Sequence, residues 1–428
     1  MRRPGDYRIA IRMIDLGRPL EPIVDVTEYP RTRVFVREAG TLLGSVDIGN
    51  AYGPISATRL RDMVTNALTG VLIKRSAEGV AAPAASSVVA PDVAVSIVIP
   101  TCNRPDDLRR CLAAVEGQRG TRPLEVIVVD NRPGPSSPTA AVAREFERVV
   151  LLEEAKPGLS YARNAGFAAA AGEILVAIDD DVTVPPGWLE RLVAPFASPE
   201  VMAVTGDVLP IEIEWWSQYQ FEAYGGLGKG FTPFEVDGDW FHAKRSAVPT
   251  WTLGATANAA FRAGIFTHPE IGMLDEALGA GTPTGCSEDT YLFYRILKQN
   301  GTIVYEPAAW VWHRHRTDAA ALRDQIYSYS KGHVAYHLTT LLRDGDTRAL
   351  IRLGYSLPRA LAWRAWMRLR RRSDYPLSLI LLEIAGTLAG PWALWQSRRR
   401  ARRLGPGARR SLSHAVSLEG RVTETSAA

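Results

Sequence analysis

Cysteine is scarce. Cys102, Cys111 and Cys286 are the only three in 428 residues, and their spacing matches neither a disulfide framework nor a zinc set, which fits a reducing compartment. The basic start Met1-Arg2-Arg3 has no apolar core behind it, so no signal peptide is read. A strong net charge is also lacking: 50 basic against 46 acidic residues leave +4, and nothing in that total calls for nucleic acid as a partner. What is present is chain enough for two or three domains, and a crowd of arginines between Arg359 and Arg410.

The rest is arranged around Gly172-Glu-Ile-Leu-Val-Ala-Ile-Asp-Asp-Asp-Val-Thr183. Residues 174–178 are short, branched and free of polar groups, the pattern of a strand buried on both faces of a parallel sheet. Three carboxylates then fall at its C-terminal edge, where open α/β sheets bind ligands. Adjacent anions repel unless a cation, water or protonation relieves them. A divalent ion carrying a diphosphate does so with hard oxygen ligands. A polar turn is the plain alternative for any single Asp.

Residues 1–80 read as a small α+β module: strands over 33–38 and 41–48 flank Ala39-Gly40 as a hairpin, and Ser56 caps a helix running towards Leu68. It carries no evident chemistry. Residues 81–93 read as a linker rich in Ala, Ser and Pro. From there strands alternate with helical stretches, as a mostly parallel sheet requires: strands over 95–99, 125–129, 149–152 and 174–178, and helices over 105–115 and 140–148.

Several strings in this order resemble family 2 glycosyltransferases of the GT-A fold, which is Rossmann-like. They are Val95-Ser-Ile-Val-Ile-Pro-Thr-Cys-Asn-Arg104, Val128-Val-Asp-Asn131, Lys156-Pro-Gly-Leu-Ser-Tyr-Ala-Arg-Asn-Ala-Gly166 and Ile178-Asp-Asp-Asp181. Gly254-Ala-Thr-Ala-Asn-Ala-Ala-Phe-Arg262, Ser287-Glu-Asp-Thr-Tyr-Leu-Phe-Tyr-Arg295 and Trp312-His313 continue the series, which covers about residues 94–316.

The resemblance implies a nucleotide-diphosphate sugar donor, a Mn²⁺ or Mg²⁺ cofactor and inversion at the anomeric carbon. Pro100, Thr101, Asn103 and Asp130 would line the nucleoside side, and Lys156 and Arg163 would meet phosphate. Asp179 and Asp181 would form the D-x-D pair. Asp181 would ligate metal directly, Asp179 would ligate or face the ribose, and Asp180 would join them on the nucleotide sugar; the sequence does not separate the three. His313 would be a further metal ligand through a neutral imidazole. Asn258, with Arg262, would lie under the donor sugar. Glu288 and Asp289 open an amphipathic helix and would otherwise be ordinary dipole partners. The resemblance makes Asp289 the general base, with Glu288 beside it.

Residues 317–405 read as a basic helical region and 406–428 as a disordered tail. The apolar run 376–395 is about long enough to span a bilayer. Glu383, two glycines and Pro391 favour instead a helix packed on the domain, or an interfacial one on anionic lipid in which Trp392 and Trp395 sit beside arginines. The expected location is therefore cytoplasmic, at the inner face of the membrane, with a glycan or lipid-linked saccharide as acceptor. Two other functions compete. Asp179-Asp-Asp-Val-Thr183 also fits the D-x-D-x-T string of haloacid dehalogenase-like phosphatases, with Asp179 as nucleophile and Asp181 as acid/base. The other is a sugar- or lipid-binding module without catalysis.

Overall fold

The computed structural model describes residues 7–77, 89–118, 120 and 122–410. Most of the expected linker and the tail from residue 411 onward lie outside the described residues. At the N-terminus, β1 (Ile9–Asp15), β2 (Arg31–Glu38) and β3 (Thr41–Gly49) form a three-stranded sheet. β2 and β3 are the expected hairpin, turning at Ala39 and Gly40, both at positive φ. Leu60, Val64 and Leu68 of α1 (Ala57–Ala77) close a core over Val34, Val36, Val46 and Ile48, and the Arg59 amide donates to Ser56 Oγ at the helix start.

The large sheet has nine strands in the described residues. β4 (Val95–Thr101), β5 (Leu124–Asp130) and β6 (Val149–Glu153) alternate with α2 (Pro105–Glu116), α3 (Pro138–Ala143) and α4 (Leu159–Ala169). β7 (Ile174–Ile178) is buried at every residue, as its unbroken apolar run predicts. β8 (Val182–Thr183), α5 (Trp188–Val193), β9 (Val201–Pro210), α6 (Trp216–Tyr224), β10 (Phe234–Val236) and α7 (Gly238–His242) follow. β11 (Asn258–Arg262), α8 (Glu288–Lys298) and β12 (Thr302–His313) complete the domain.

The strand order is β10-β12-β9-β11-β7-β4-β5-β6, with β8 on β12. Pairing is parallel from β6 through β7 and between β9 and β12. β11 slots in antiparallel between β7 and β9, so the string Gly254 to Arg262 ends as a sheet strand and β7 meets a parallel neighbour on one side only. Val98, Ile127, Leu175 and Phe261 face one apolar layer, and Ile97, Val128, Val176 and Val204 the other. The ends of β4, β5 and β7 therefore deliver polar groups to one rim, as an α/β sheet does.

The C-terminal region is helical: α9 (Ala319–Asp344), α10 (Arg348–Ile351), α11 (Leu357–Leu369) and α12 (Leu377–Leu404). Ala335, Tyr336 and Leu394 enter the main core. Contact between α12 and α9 is close because Gly386 and Gly390 carry no side chain. A Cβ on Gly390 would sit 2.5 Å from Val334 Cβ, and one on Gly386 2.7 Å from the Tyr327 carbonyl. Glu383 is buried and bonded to Arg364, which offsets part of the cost of a charge in an apolar helix. Beyond α12, residues 405–410 lie against α4: Lys156 Nζ donates to the Pro406 carbonyl, Tyr161 Oη to Gly405, and Arg410 to Phe167 and Ala170.

Candidate functional site

Burial of β7 brings Asp179, Asp180 and Asp181 out of the core together at the rim. Their partners overlap only at Arg104. Asp179 Oδ1 accepts from Arg163 Nη2 at 2.5 Å. Asp180 turns back towards β4, where Thr101 Oγ1 donates to it at 2.6 Å. Asp181 Oδ2 accepts from Arg104 Nη1 at 2.9 Å, and the same nitrogen reaches Asp180 at 3.3 Å. Burial and the Asp181 charge push the Asp180 carboxyl up to about 7. Asp181 is held well below the usual carboxylate range: burial opposes ionisation, but His313 and Arg104 outweigh it.

His313 ends β12, and its Nε2 stands 3.2 Å from Asp181 Oδ1. That distance is within ion-pair range, but the alignment is not that of a hydrogen bond, and Oδ1 is a buried oxygen with no hydrogen-bond partner. Burial lowers the imidazole pKa while Asp181 and Asp179 raise it, for a net rise. An orphaned carboxylate oxygen facing an imidazole nitrogen suits a divalent cation: carboxylate plus one nitrogen fits Mn²⁺ or Mg²⁺, with Mn²⁺ the better match to nitrogen. No cluster of three or more such ligands occurs among the described residues.

Arg163 is 1% exposed and bridges two carboxylates, Asp179 and, at 2.8 Å through Nη1, Glu288. It is therefore not an ordinary helix-surface pair; it joins the start of α8 to the end of β7. Glu288 is pushed up to about 7, by burial first and Asp289 second, against the pull of Arg163. Ser287, just before it, has φ 81°, an uncommon conformation for a side chain with a Cβ. Asp289 is half-buried. Its Oδ1 accepts from the Thr290 amide at 2.6 Å and its Oδ2 is 3.4 Å from the Thr256 amide.

Other expected site residues have local partners. Asp130 accepts from the Arg132 amide at 2.9 Å and from Ser137 Oγ, closing a turn at the end of β5. Lys156 is held by the Pro406 carbonyl. Asn258 is fully buried, donates to the Asp207 and Ala309 carbonyls and accepts from Trp188 Nε1. Arg262 ties down the carbonyls of Phe196, Ser198 and Val201. Pro100 is the penultimate residue of β4, before Thr101, and Asn103 is exposed at φ 56°. Trp216 packs in a small core with Phe221 and Ile326, while Trp215 is exposed.

Two residues enter that sequence reasoning missed. Arg104 closes the quoted Thr101 string, so its position was legible, but not its bridging of two carboxylates. Lys229 comes from the loop after α6. Burial lowers its pKa against the opposing pull of Asp289 and Asp207, and no motif marks it. A surface hollow lined by Pro199, Met202, Ile265 and Asn300 shares no residue with this cluster.

A doubly layered α/β domain with carboxylates, imidazole and guanidinium gathered at the strand ends defines the class. Residues 96–267 match glycosyl transferase family 2. The pre-mycofactocin glycosyltransferase of Mycobacterium tuberculosis strain CDC 1551 is 30% identical over 238 residues, 54% of this chain and 44% of that protein. The glucosyl-dolichyl phosphate glucuronosyltransferase of Haloferax volcanii is 29% identical over 223 residues, 49% of this chain and 66% of that protein. The chain thus spans less than half of the first of these relatives. Among solved structures, a mannosyltransferase from Pyrobaculum calidifontis in complex with GDP-Man and Mn²⁺ aligns over 79% of this chain and 82% of its own, at 19% identity and TM-score 0.41.

Proposed function

We propose that the protein transfers a sugar from a nucleotide-diphosphate donor to an acceptor hydroxyl, with a divalent cation and with inversion. The observation that carries this is the Asp181–His313 pair at the rim of a family 2 domain, in which a buried carboxylate oxygen has no hydrogen-bond partner. Asp181 and His313 would hold Mn²⁺ or Mg²⁺, with Asp179 beside them, and the bound cation would supply positive charge to the departing diphosphate.

The chain's own groups do the rest. Asp289 stands at the start of α8 and takes the acceptor's proton as its oxygen attacks the anomeric carbon from the face opposite the diphosphate. Arg163 holds Asp179 and Glu288 in register, linking the donor side to the base side. Pro100, Thr101 and Asn103 line the nucleoside side. Asp130 and Lys156 act on the nucleotide sugar through the loops they fix, and Asn258 through the sheet strands it ties together, since their polar atoms have local partners.

The acceptor is a glycan or lipid-linked saccharide; the Haloferax volcanii relative named for glucosyl-dolichyl phosphate supports the lipid-linked form. Exposed Trp363, Trp366, Trp392 and Trp395 among arginines support peripheral contact with anionic lipid, from the cytoplasmic side. Screening donor hydrolysis across nucleotide sugars with Mn²⁺ or Mg²⁺ tests the reading. Metal-dependent release of one nucleoside diphosphate is expected. Binding without turnover would mean a sugar-binding module, and a phosphoryl group trapped on Asp179 would mean a phosphatase.

A further inference from the structure

The N-terminal module reaches the rim through a single file of side chains. Arg33 on β2 donates Nε to Asp47 at 2.7 Å within the module, and Nη1 to Glu222 Oε2 of α6 at 2.8 Å across the interface. The other Glu222 oxygen is 3.0 Å from His315 Nε2. His315 Nδ1 is 2.9 Å from His313 Nδ1, and His313 Nε2 faces Asp181. The imidazole of His315 is itself boxed in, 3% exposed and with its ring centroid 4.8 Å from Phe221, edge to face. The module also braces the strand that carries His313, because Phe35 packs edge to face on Trp312 at 5.7 Å.

Donor and acceptor rules give this file a direction. Arg33 only donates, so Glu222 accepts at both oxygens. His315 Nε2 must then carry the hydrogen that meets Glu222, which leaves its Nδ1 a lone pair when the ring is neutral. Only a hydrogen on His313 Nδ1 can fill the 2.9 Å contact, and in the neutral ring, the form that binds a cation, a lone pair is then left on His313 Nε2. That nitrogen and the unpartnered Asp181 Oδ1 become two acceptors 3.2 Å apart. Such a pair holds together only around something positive.

We infer that Arg33 is a positioning residue: through Glu222 and His315 it fixes His313 as the Nδ1–H tautomer, presenting Nε2 beside Asp181 to a divalent cation. The module that lacks chemistry of its own thereby sets the cation affinity of the neighbouring domain. This rests on the reading of Asp181 and His313 as a cation pair, and outer partners of this kind are worth about 10- to 100-fold in metal affinity.

Two measurements on the full chain test it. The first is ¹⁵N NMR of ring-labelled histidines in the metal-free protein at neutral pH, which should show His313 with Nδ1 protonated and Nε2 bare. In Glu222→Gln and Arg33→Met that signature should be lost or mixed. The second is Mn²⁺ binding, followed by the EPR signal of free Mn²⁺, with the ion alone and with UDP or GDP. Glu222→Gln and His315→Phe should weaken it about 10- to 100-fold and Arg33→Met several-fold, with the far-UV circular dichroism unchanged. Arg37→Met, which breaks only the module's own pair with Asp15, should leave it alone. A hydrogen on His313 Nε2 in the wild type, or unaltered Mn²⁺ affinity in folded Glu222→Gln, overturns the inference. If Asp181→Asn and His313→Ala also keep full affinity, the cation reading itself fails, and the tautomer spectrum still judges the relay separately.

Discussion

Arg163 lies between Asp179 and Glu288 with its own Nε unpartnered, a buried cation whose removal leaves two anions facing each other. Arg163→Met should therefore cost about 3–5 kcal/mol, read from the urea unfolding midpoint, and should suppress transfer as well. Asp289→Asn is the cleaner test of chemistry: donor binding stays and turnover falls by a factor on the order of 10² or more, while wild-type turnover removes the base assignment. Glu288 also predicts a pH effect. Its folded pKa is raised to about 7 from an ordinary 4.5, so the folded state binds the extra proton. Stability from this group is complete below about pH 4.5 and is lost as pH rises towards 7. Glu288→Gln should flatten that slope in unfolding midpoints taken across the window.

At this scale the sequence was a partial guide. The strings that carry the family resemblance place Asp179, Asp181, Glu288, Asp289 and His313 at strand and helix ends, and those ends do converge. What the strings could not carry was which polar atom is already taken. Asn258 reads as a donor contact, but its three bonds are spent inside the sheet. Glu222 and Lys229 sit in a stretch with no periodic signal of function, and only tertiary packing brings them to the rim.

Among the elements, β7, α2 and the β2–β3 hairpin follow from apolar pattern and turn chemistry alone. The helix expected over 140–148 runs instead over Pro138–Ala143, with Pro138 at its start, and ends before the chain turns at Arg148 with φ 68°. β11 was hard to read because Asn258, Ala259 and Ala260 have little strand preference; its place is fixed by neighbours on both sides. α12 shows the same limit in reverse: it is long and apolar enough to cross a bilayer, yet its glycine face packs on α9. Gly390→Val should collide with Val334 and cost about 1–3 kcal/mol, with a lowered unfolding midpoint and faster protease cleavage after Ala401 or Arg402. An unaltered midpoint would mean that α12 leaves α9 in solution.

For the whole molecule, the basic and Trp-bearing face of α11 and α12 predicts an electrostatic attachment. The full chain should sediment with vesicles containing anionic lipid, not with neutral ones, and should come off as salt rises. Trp392→Ala with Trp395→Ala should weaken the attachment while leaving donor hydrolysis intact; equal sedimentation by the double variant would remove the lipid role of that face.

Because Ala335, Tyr336 and Leu394 sit in the same core as β7 and α8, and Arg410 closes over the carbonyls at the end of α4, the family 2 segment is not a cassette that can be cut out. A gene trimmed to residues 94–316 would yield an open-sided core and insoluble product, so chimaeras and activity screens need the helical arm retained.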